Sequence, residues 1–505
     1  MTNTYTGAGI FSRLGKVMTR SPLISAFSAF SACLMIMLVL SFSHAVVAKT
    51  LPSIANAQSS LISPVEEKRI GKLVAGNLNR LPASHKLAVR LWLSDLVRPL
   101  LNQSNLKDKQ LQLFLLNNRS INAFATPGGI VGVHTGLILE TKQVDELVAV
   151  LAHEIAHISQ RHYAHRRASE ERMAPVYFGA FLASILVASK VDANIGEAGI
   201  HATQAALIRE QMSYSRANEQ DADRVGLQLM HASQFDTSKM LSMLELLGSP
   251  LNEQDPNWAW ARSHPISEHR IADMAARVEQ LPNSTSSVHY QTDFQLLRIM
   301  LATQLTDTTK KSLDNVSKQL DPLHDNYHLY QQFAEAMVLL QQRQWAPAAA
   351  LLETLSAQQP TQSFIWDRWL YALLAQGDYQ QVIAQSRTAE QLGLHIALTH
   401  YFRAQAYNAL SDMAQANKHL NKLLQAQPLW IGGWQLLAEW SGQTANLSTH
   451  RVAMAQWHLL RGEFDQAREQ TLLGEGLATS SDSQRQQLLR IREAAKVLKA
   501  TAEGL

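Results

Sequence analysis

Val144-Asp145-Glu146-Leu147-Val148-Ala149-Val150-Leu151-Ala152-His153-Glu154-Ile155-Ala156-His157 decides how the chain is read. The run is rich in good helix formers, apolar overall and free of Gly and Pro, which predicts a buried helix. It ends on the pentad His153-Glu154-Ile155-Ala156-His157, an H-E-x-x-H pattern. Residues four apart share one helix face, so both imidazoles can reach a single metal ion while Glu154 leans toward the attacking water as general base. The competing reading is a helix that carries two histidines by accident. A third ligand is needed to separate the two.

In the H-E-x-x-H-x-x-G-x-x-H pattern the third ligand needs Gly at 160 and His at 163. The chain has Gln160 and Tyr163. His162 is one residue out of register, which leaves it as a polar residue near the helix end or as a support for one of the ligands. Downstream, Ser213-Tyr214-Ser215-Arg216-Ala217-Asn218-Glu219-Gln220-Asp221-Ala222-Asp223-Arg224-Val225-Gly226 puts Glu219 and Asp223 four apart on another helical face. Taken alone, Glu219, Asp221 and Asp223 read as a solvated acidic face. Paired with His153 and His157, Glu219 completes a His₂Glu zinc set with an open fourth position, the catalytic arrangement. Asp223 then either orients a histidine through its second ring N–H or passes a proton to the departing amine.

These residues resemble the M48 zinc metallopeptidases, in which H-E-x-x-H is followed by a Glu-x-x-x-Asp helix. The resemblance extends to Ser120-Ile121-Asn122-Ala123-Phe124-Ala125-Thr126-Pro127-Gly128-Gly129, to Thr135-Gly136-Leu137 and to the Ser215-Arg216 lead into Glu219. It implies a gluzincin-type metalloendopeptidase with one Zn2+ per subunit. Leu111–Leu116 is an apolar run, Asn117-Asn118-Arg119 a turn signal, and Ile121–Ala125 a strand that Pro127-Gly128-Gly129 turns into Ile130–Val133, which predicts a small antiparallel meander. A strand edge binds extended peptides through main-chain hydrogen bonds, so Asn122, Ala123, Phe124 and Ala125 are candidate substrate-binding residues.

Ser263-His264-Pro265-Ile266-Ser267-Glu268-His269-Arg270 follows the Glu219 helix, and related proteins carry a His-Pro followed by an Arg at this place. His264 either fills the open zinc position in a resting, self-inhibited state or steadies the oxyanion, with Arg270 supporting it.

Arg13, Lys16 and Arg20 precede an apolar run from Leu23 to Val47, with small-residue cleavage sites between 45 and 57. This predicts a signal peptide over 1–48, the alternative being a retained anchor. The one cysteine, Cys33, lies inside that segment, so cleavage removes any prospect of disulfides or Cys-ligated zinc. The formal charge of +3 is carried by the three basic residues of 1–48, leaving a neutral remainder that gives no reason to expect nucleic acid. Val176–Ala188 is apolar but short for a span, and predicts at most peripheral membrane contact.

After a polar break at Leu281-Pro282-Asn283-Ser284-Thr285-Ser286-Ser287, the chain becomes Ala-, Leu- and Gln-rich and repeats. Arg343, Gly377 and Ser411 are spaced by 34, as are Trp345, Tyr379 and Met413, while Pro360 and Pro428 are two periods apart. That is the tetratricopeptide (TPR) period, of stacked helix pairs with a concave binding face. A further unit around Leu459–Ala467 is read as displaced by an insertion near Gly442–Ser448. The expected fold is α+β and mostly helical: a metallopeptidase domain over 60–282, a linker and leading helix over 283–325, and an all-α TPR solenoid over 326–505.

This order of leader, M48-like domain and repeats is similar to periplasmic quality-control proteases of Gram-negative bacteria. The resemblance implies hydrolysis of misfolded or stalled outer-membrane β-barrel proteins, with the repeats docking clients or the barrel-assembly complex. The alternative is a chaperone or scaffold whose protease domain is normally self-inhibited.

Overall fold

The computed structural model describes residues 62–81, 87–164, 215–249, 257–282, 288–304 and 325–504. The first half is built from α1 (Pro64–Leu78), α2 (Leu87–Gln103), β1 (Gln112–Leu116), β2 (Ala123–Thr126), β3 (Ile130–His134), α3 (Thr135–Glu140) and α4 (Val144–Ser159). It continues through α5 (Arg216–Ala232), α6 (Ser238–Leu247), α7 (Ala259–Ser263), α8 (Glu268–Glu279) and α9 (Val288–Gln304). Every residue of α4 from Val144 to His157 except Glu146 is buried, as its apolar composition predicts. The start of α4 is satisfied from two directions. Glu146 Oε2 accepts the backbone N–H groups of Lys142 and Gln143, and Gln291 Oε1 on α9 accepts that of Val144 at 2.8 Å.

Helix α5 lies against α4 at the level of the His153–His157 pentad, and Gly226 makes this approach possible. A Cβ at 226 would stand 3.2 Å from the backbone nitrogen of His153 and 3.3 Å from the carbonyl carbon of Ala152. Gly226→Val therefore overpacks two helices against rigid backbone and is expected to destabilise the protein by about 1–3 kcal/mol. An unchanged melting temperature would show that the helices are not in this contact.

The sheet is three-stranded in the order β1-β3-β2, with β1 parallel and β2 antiparallel to β3. The expected antiparallel meander is thus corrected to a mixed sheet. The physical reason lies in β3, whose five residues are all buried. The strand that can be covered on both faces takes the centre, and β2 is left at an edge. The second strand also begins later than expected, at Ala123, and Asn122 precedes it in the loop.

The second half consists of α10 (Tyr327–Gln341), α11 (Trp345–Gln358), α12 (Ser363–Gln376), α13 (Tyr379–Gln391), α14 (Ile396–Ala409), α15 (Met413–Ala426) and α16 (Ile431–Gln443). It ends with α17 (Leu447–Leu460), α18 (Phe464–Glu475) and α19 (Asp482–Glu503). Helical hairpins repeat here with the expected period. The residue closing each turn has positive φ: Arg343 (58°), Gly377 (88°), Ser411 (62°) and Ala445 (54°). Asp378, Asp412 and Asn446 follow as side-chain N-caps. Trp366 and Trp434, two periods apart, each donate Nε1–H to a proline carbonyl, of Pro360 and Pro428 respectively.

The expected insertion near Gly442–Ser448 is corrected: the turn at Ala445 and the cap at Asn446 continue the period unbroken. The helix starts keep their spacing beyond it: α18 begins at Phe464, 17 residues after the start of α17, just as α14 begins at Ile396, 17 residues after the start of α13 at Tyr379.

One apolar core runs through both halves. Trp92 of α2 packs on Phe294 of α9 at 6.2 Å and on Phe364 of α12 at 6.0 Å between ring centroids. A second contact joins the ends. Asn79 and Arg80, just past α1, donate to the carbonyls of Leu460, Arg461 and Gly462. Gly76 allows this, since a Cβ there would lie 2.9 Å from the nitrogen of Gly462. The leader, the apolar stretch 176–188 and the polar break at 283–287 lie outside the described residues. Among the described residues no helix is long and apolar enough to cross a membrane.

Candidate metal centre

Helix α4 presents His153 and His157 one turn apart, and their Nε2 atoms lie 2.9 Å from each other. Helix α5 is started by Ser215, whose side chain accepts from Asn218 N–H, and its first turn brings Glu219 to the same point. Glu219 Oε2 is 3.4 Å from His153 Nε2, and Oε1 is 3.5 Å from His157 Nε2. The segment after α7 adds His264, with Nδ1 3.3 Å from His153 Nε2 and 3.1 Å from Glu219 Oε1. All four side chains are at most 2% exposed.

This set fits zinc. One donor atom from each of His153, His157, Glu219 and His264 falls within a 4.8 Å group. Donors about 2.0–2.2 Å from a tetrahedral Zn²⁺ stand about 3.3 Å apart, close to the separations here. The charge balance points the same way: the buried carboxylic side chains Glu154, Glu219 and Asp223 surround the site against one buried guanidinium, Arg270.

Burial disfavours a charged ring at His153, but the hydrogen bonds it donates to Asp223 and Glu219, with the charge of both carboxylates, outweigh it and raise its pKa to about 9. Burial, together with the charge of His153, holds His157 well below the usual imidazole value. Glu219 is held well below the usual carboxylate range: burial opposes this, and His264, His153 and His157 overcome it.

Residues 88–278 match the model of peptidase family M48. The chain carries an M48 peptidase domain. It is a metallopeptidase, and zinc is the metal that its buried cluster accommodates. Over 83% of its length it is 28% identical to the Beta-barrel assembly-enhancing protease of Yersinia pestis, covering 85% of that protein. Identity to the Putative beta-barrel assembly-enhancing protease of Vibrio cholerae is 27%, over 88% of this chain and 93% of the relative. The Mitochondrial metalloendopeptidase OMA1 of Schizosaccharomyces pombe is 28% identical over 42% of this chain and 60% of its own.

Around this donor group the structure brings most of the sequence-derived residues together. Asp223 Oδ1 lies 3.0 Å from His153 Nδ1, and Arg270 grips the same carboxylate at 2.7 and 2.8 Å. Both of its oxygens are thereby engaged, and His153 and Arg270 keep its pKa lowered against the burial that would raise it. This geometry suits orientation of the ring rather than proton delivery. Arg270 also reaches Glu219 Oε2 at 2.9 Å and the carbonyl of Pro265 at 2.7 Å. It therefore fixes the His264 segment to α5.

Ala123, Phe124 and Ala125 lie in β2, which pairs only with β3 among the described residues. Asn122 spends its carbonyl on His134 N–H, and its buried Oδ1 has no hydrogen-bond partner among the described residues. The sequence reading misses Trp260, which donates Nε1–H to Glu154 Oε1 at 2.9 Å and stacks on His264 at 4.6 Å. Its one signal is position, four residues before His264 in the same segment. That segment is itself sewn to the start of the edge strand, through Ile121 N–H to Asn257 O and Trp260 N–H to Ile121 O.

Proposed function

We propose that this protein is a periplasmic zinc endopeptidase that hydrolyses misfolded or stalled outer-membrane β-barrel proteins, with TPR-type repeats over 326–505 docking the client or the barrel-assembly complex. The observation that carries the reading is the convergence of His153, His157 and Glu219 with Glu154 beside an edge strand. The names and extent of the bacterial relatives support the client class, and the leader supports the compartment.

Zinc held in this set supplies Lewis acidity to a scissile carbonyl and makes water a nucleophile near neutral pH. Asn122 to Ala125 orient the substrate as an added strand through main-chain hydrogen bonds, which tolerates many sequences, as a quality-control protease requires. Glu154, aimed by the indole of Trp260, takes the proton from the attacking water and returns it to the departing amine. Asp223 fixes the ring of His153, and Arg270 fixes Asp223.

A second state is favoured by one observation. His264 enters the donor group through Nδ1, while its Nε2 stands 3.4 Å from Glu154 Oε1. With zinc bound it would fill the fourth position, and it faces the base at the same time. In this resting state the protein acts as a scaffold or chaperone, and the protease works only when the His264 segment withdraws.

The two states predict opposite results for one variant. If His264 blocks the site, His264→Ala cleaves an unfolded β-barrel protein about tenfold faster than wild type, a release of about 1.4 kcal/mol. A slower variant would assign His264 to oxyanion stabilisation instead. The same assay run with and without a chelator, alongside zinc analysis, tests the peptidase reading, which fails if cleavage survives metal removal.

A further inference from the structure

On the side of His157 facing away from the donor group lies a row of polar residues that the hydrolytic steps leave unused. His157 Nδ1 is 2.9 Å from His162 Nδ1, and the two rings stand edge to face with centroids 4.9 Å apart. His162 Nε2 is 3.2 Å from Asp221 Oδ2, and Arg224 Nη2 donates to Asp221 Oδ1. His162 is 2% exposed.

Two imidazole nitrogens in contact share one proton, and the far end of each ring decides which of them owns it. Nε2 of His157 faces the donor group, where a ligand must offer a lone pair. A neutral His157 therefore carries its proton on Nδ1 and donates toward His162. His162 accepts at Nδ1, which places its own proton on Nε2, facing the carboxylate of Asp221. The opposite direction fails at both ends. It would set a protonated His157 Nε2 against the metal and a bare His162 nitrogen against a carboxylate.

We infer that His162 and Asp221 are positioning residues that lock His157 in its Nδ1–H tautomer and aim its other nitrogen at the zinc. The inference rests on zinc held by His153, His157 and Glu219. It gives the second histidine ligand the support that Asp223 gives the first, by a relay through another imidazole rather than by direct contact. The chain departs from the H-E-x-x-H-x-x-G-x-x-H pattern at 160 and 163, and the histidine it has at 162 acts through a ligand instead of as one.

The test uses the full-length protein loaded with zinc and labelled with ¹⁵N-histidine, and reads the tautomers by long-range ¹H–¹⁵N spectra. The expected result is a single Nε2–H form for His162 and a single Nδ1–H form for His157. A His162 ring protonated on Nδ1 overturns the inference. This measurement needs no variant, so a substitution that fails to fold does not leave the question open.

Zinc affinity, measured by competition with a chromophoric chelator, provides the second arm. His162→Gln keeps an acceptor for His157 and a donor for Asp221, so its affinity stays within about threefold of wild type, whereas His162→Phe loosens zinc about 10–100-fold. Equal affinity for the Phe variant and wild type, or equal loss in both variants, reduces His162 to a space-filling role. Wild-type protein without stoichiometric zinc would instead remove the metal reading itself.

Discussion

Glu154→Gln is expected to bind one zinc per chain and to lose roughly 10²–10⁴-fold in the rate of peptide hydrolysis, the range set by removing a general base. The separation of the two effects follows from where the side chain sits. Glu154 is not in the donor group of His153, His157, Glu219 and His264, so the amide leaves the ligands untouched. Its oxygen can still accept from Trp260 Nε1–H, now 2.9 Å from Glu154 Oε1, so the side chain keeps its place while losing its basicity. Metal analysis and cleavage of an unfolded β-barrel protein by the same preparation check both halves. Undiminished proteolysis by this variant would sink the mechanism, and lost zinc would show that Glu154 helps to hold the ion.

Arg270→Met is expected to have the largest effect on stability. The guanidinium makes two bonds to Asp223 and one to Glu219 and reaches the carbonyl of Pro265, all from a position 2% exposed. Removing one partner of a buried charge pair leaves the other uncompensated, which costs about 3–5 kcal/mol. Calorimetry on metal-free protein should record a fall in melting temperature on the order of 10 °C. Arg277→Met is the control on the same helix. Its pair with Asp273 is 2.8 Å long but the two side chains are 41% and 33% exposed, so its loss changes stability by less than about 1 kcal/mol. Equal shifts in the two variants would mean that the charges around Asp223 are relieved by water or by rearrangement.

The parts of the site that the sequence makes legible are those carried by helical periodicity. His153 and His157 on one helix, and Glu219 and Asp223 on another, have spacings that fix their faces without knowledge of the rest. His264 and Arg270 can be singled out but not assigned, because a loop residue's reach depends on the course of the backbone before it. Trp260 and Asp221 are invisible for a related reason. A tryptophan donor and a third acid in a charged run become specific only when the fold sets Glu154 and His162 opposite them. The sheet shows the same limit: strands can be read from local patterning, but strand order depends on which strand is covered on both faces. In the repeats, the 34-residue period is local and legible, whereas its continuation past Gly442–Ser448 depends on a backbone turn at Ala445 that no residue type demands.

The clasp between the end of α1 and the turn at Leu460–Gly462 has a consequence for how the molecule is made. Its hydrogen bonds join residues 381 and 382 positions apart, and a contact across so long a loop can form only after most of the polypeptide has emerged and ordered. During synthesis α1 therefore waits for the hairpin that carries Leu460–Gly462. Completion of the protease half is thus a late event in folding, set by when the helical repeats are in place to receive α1.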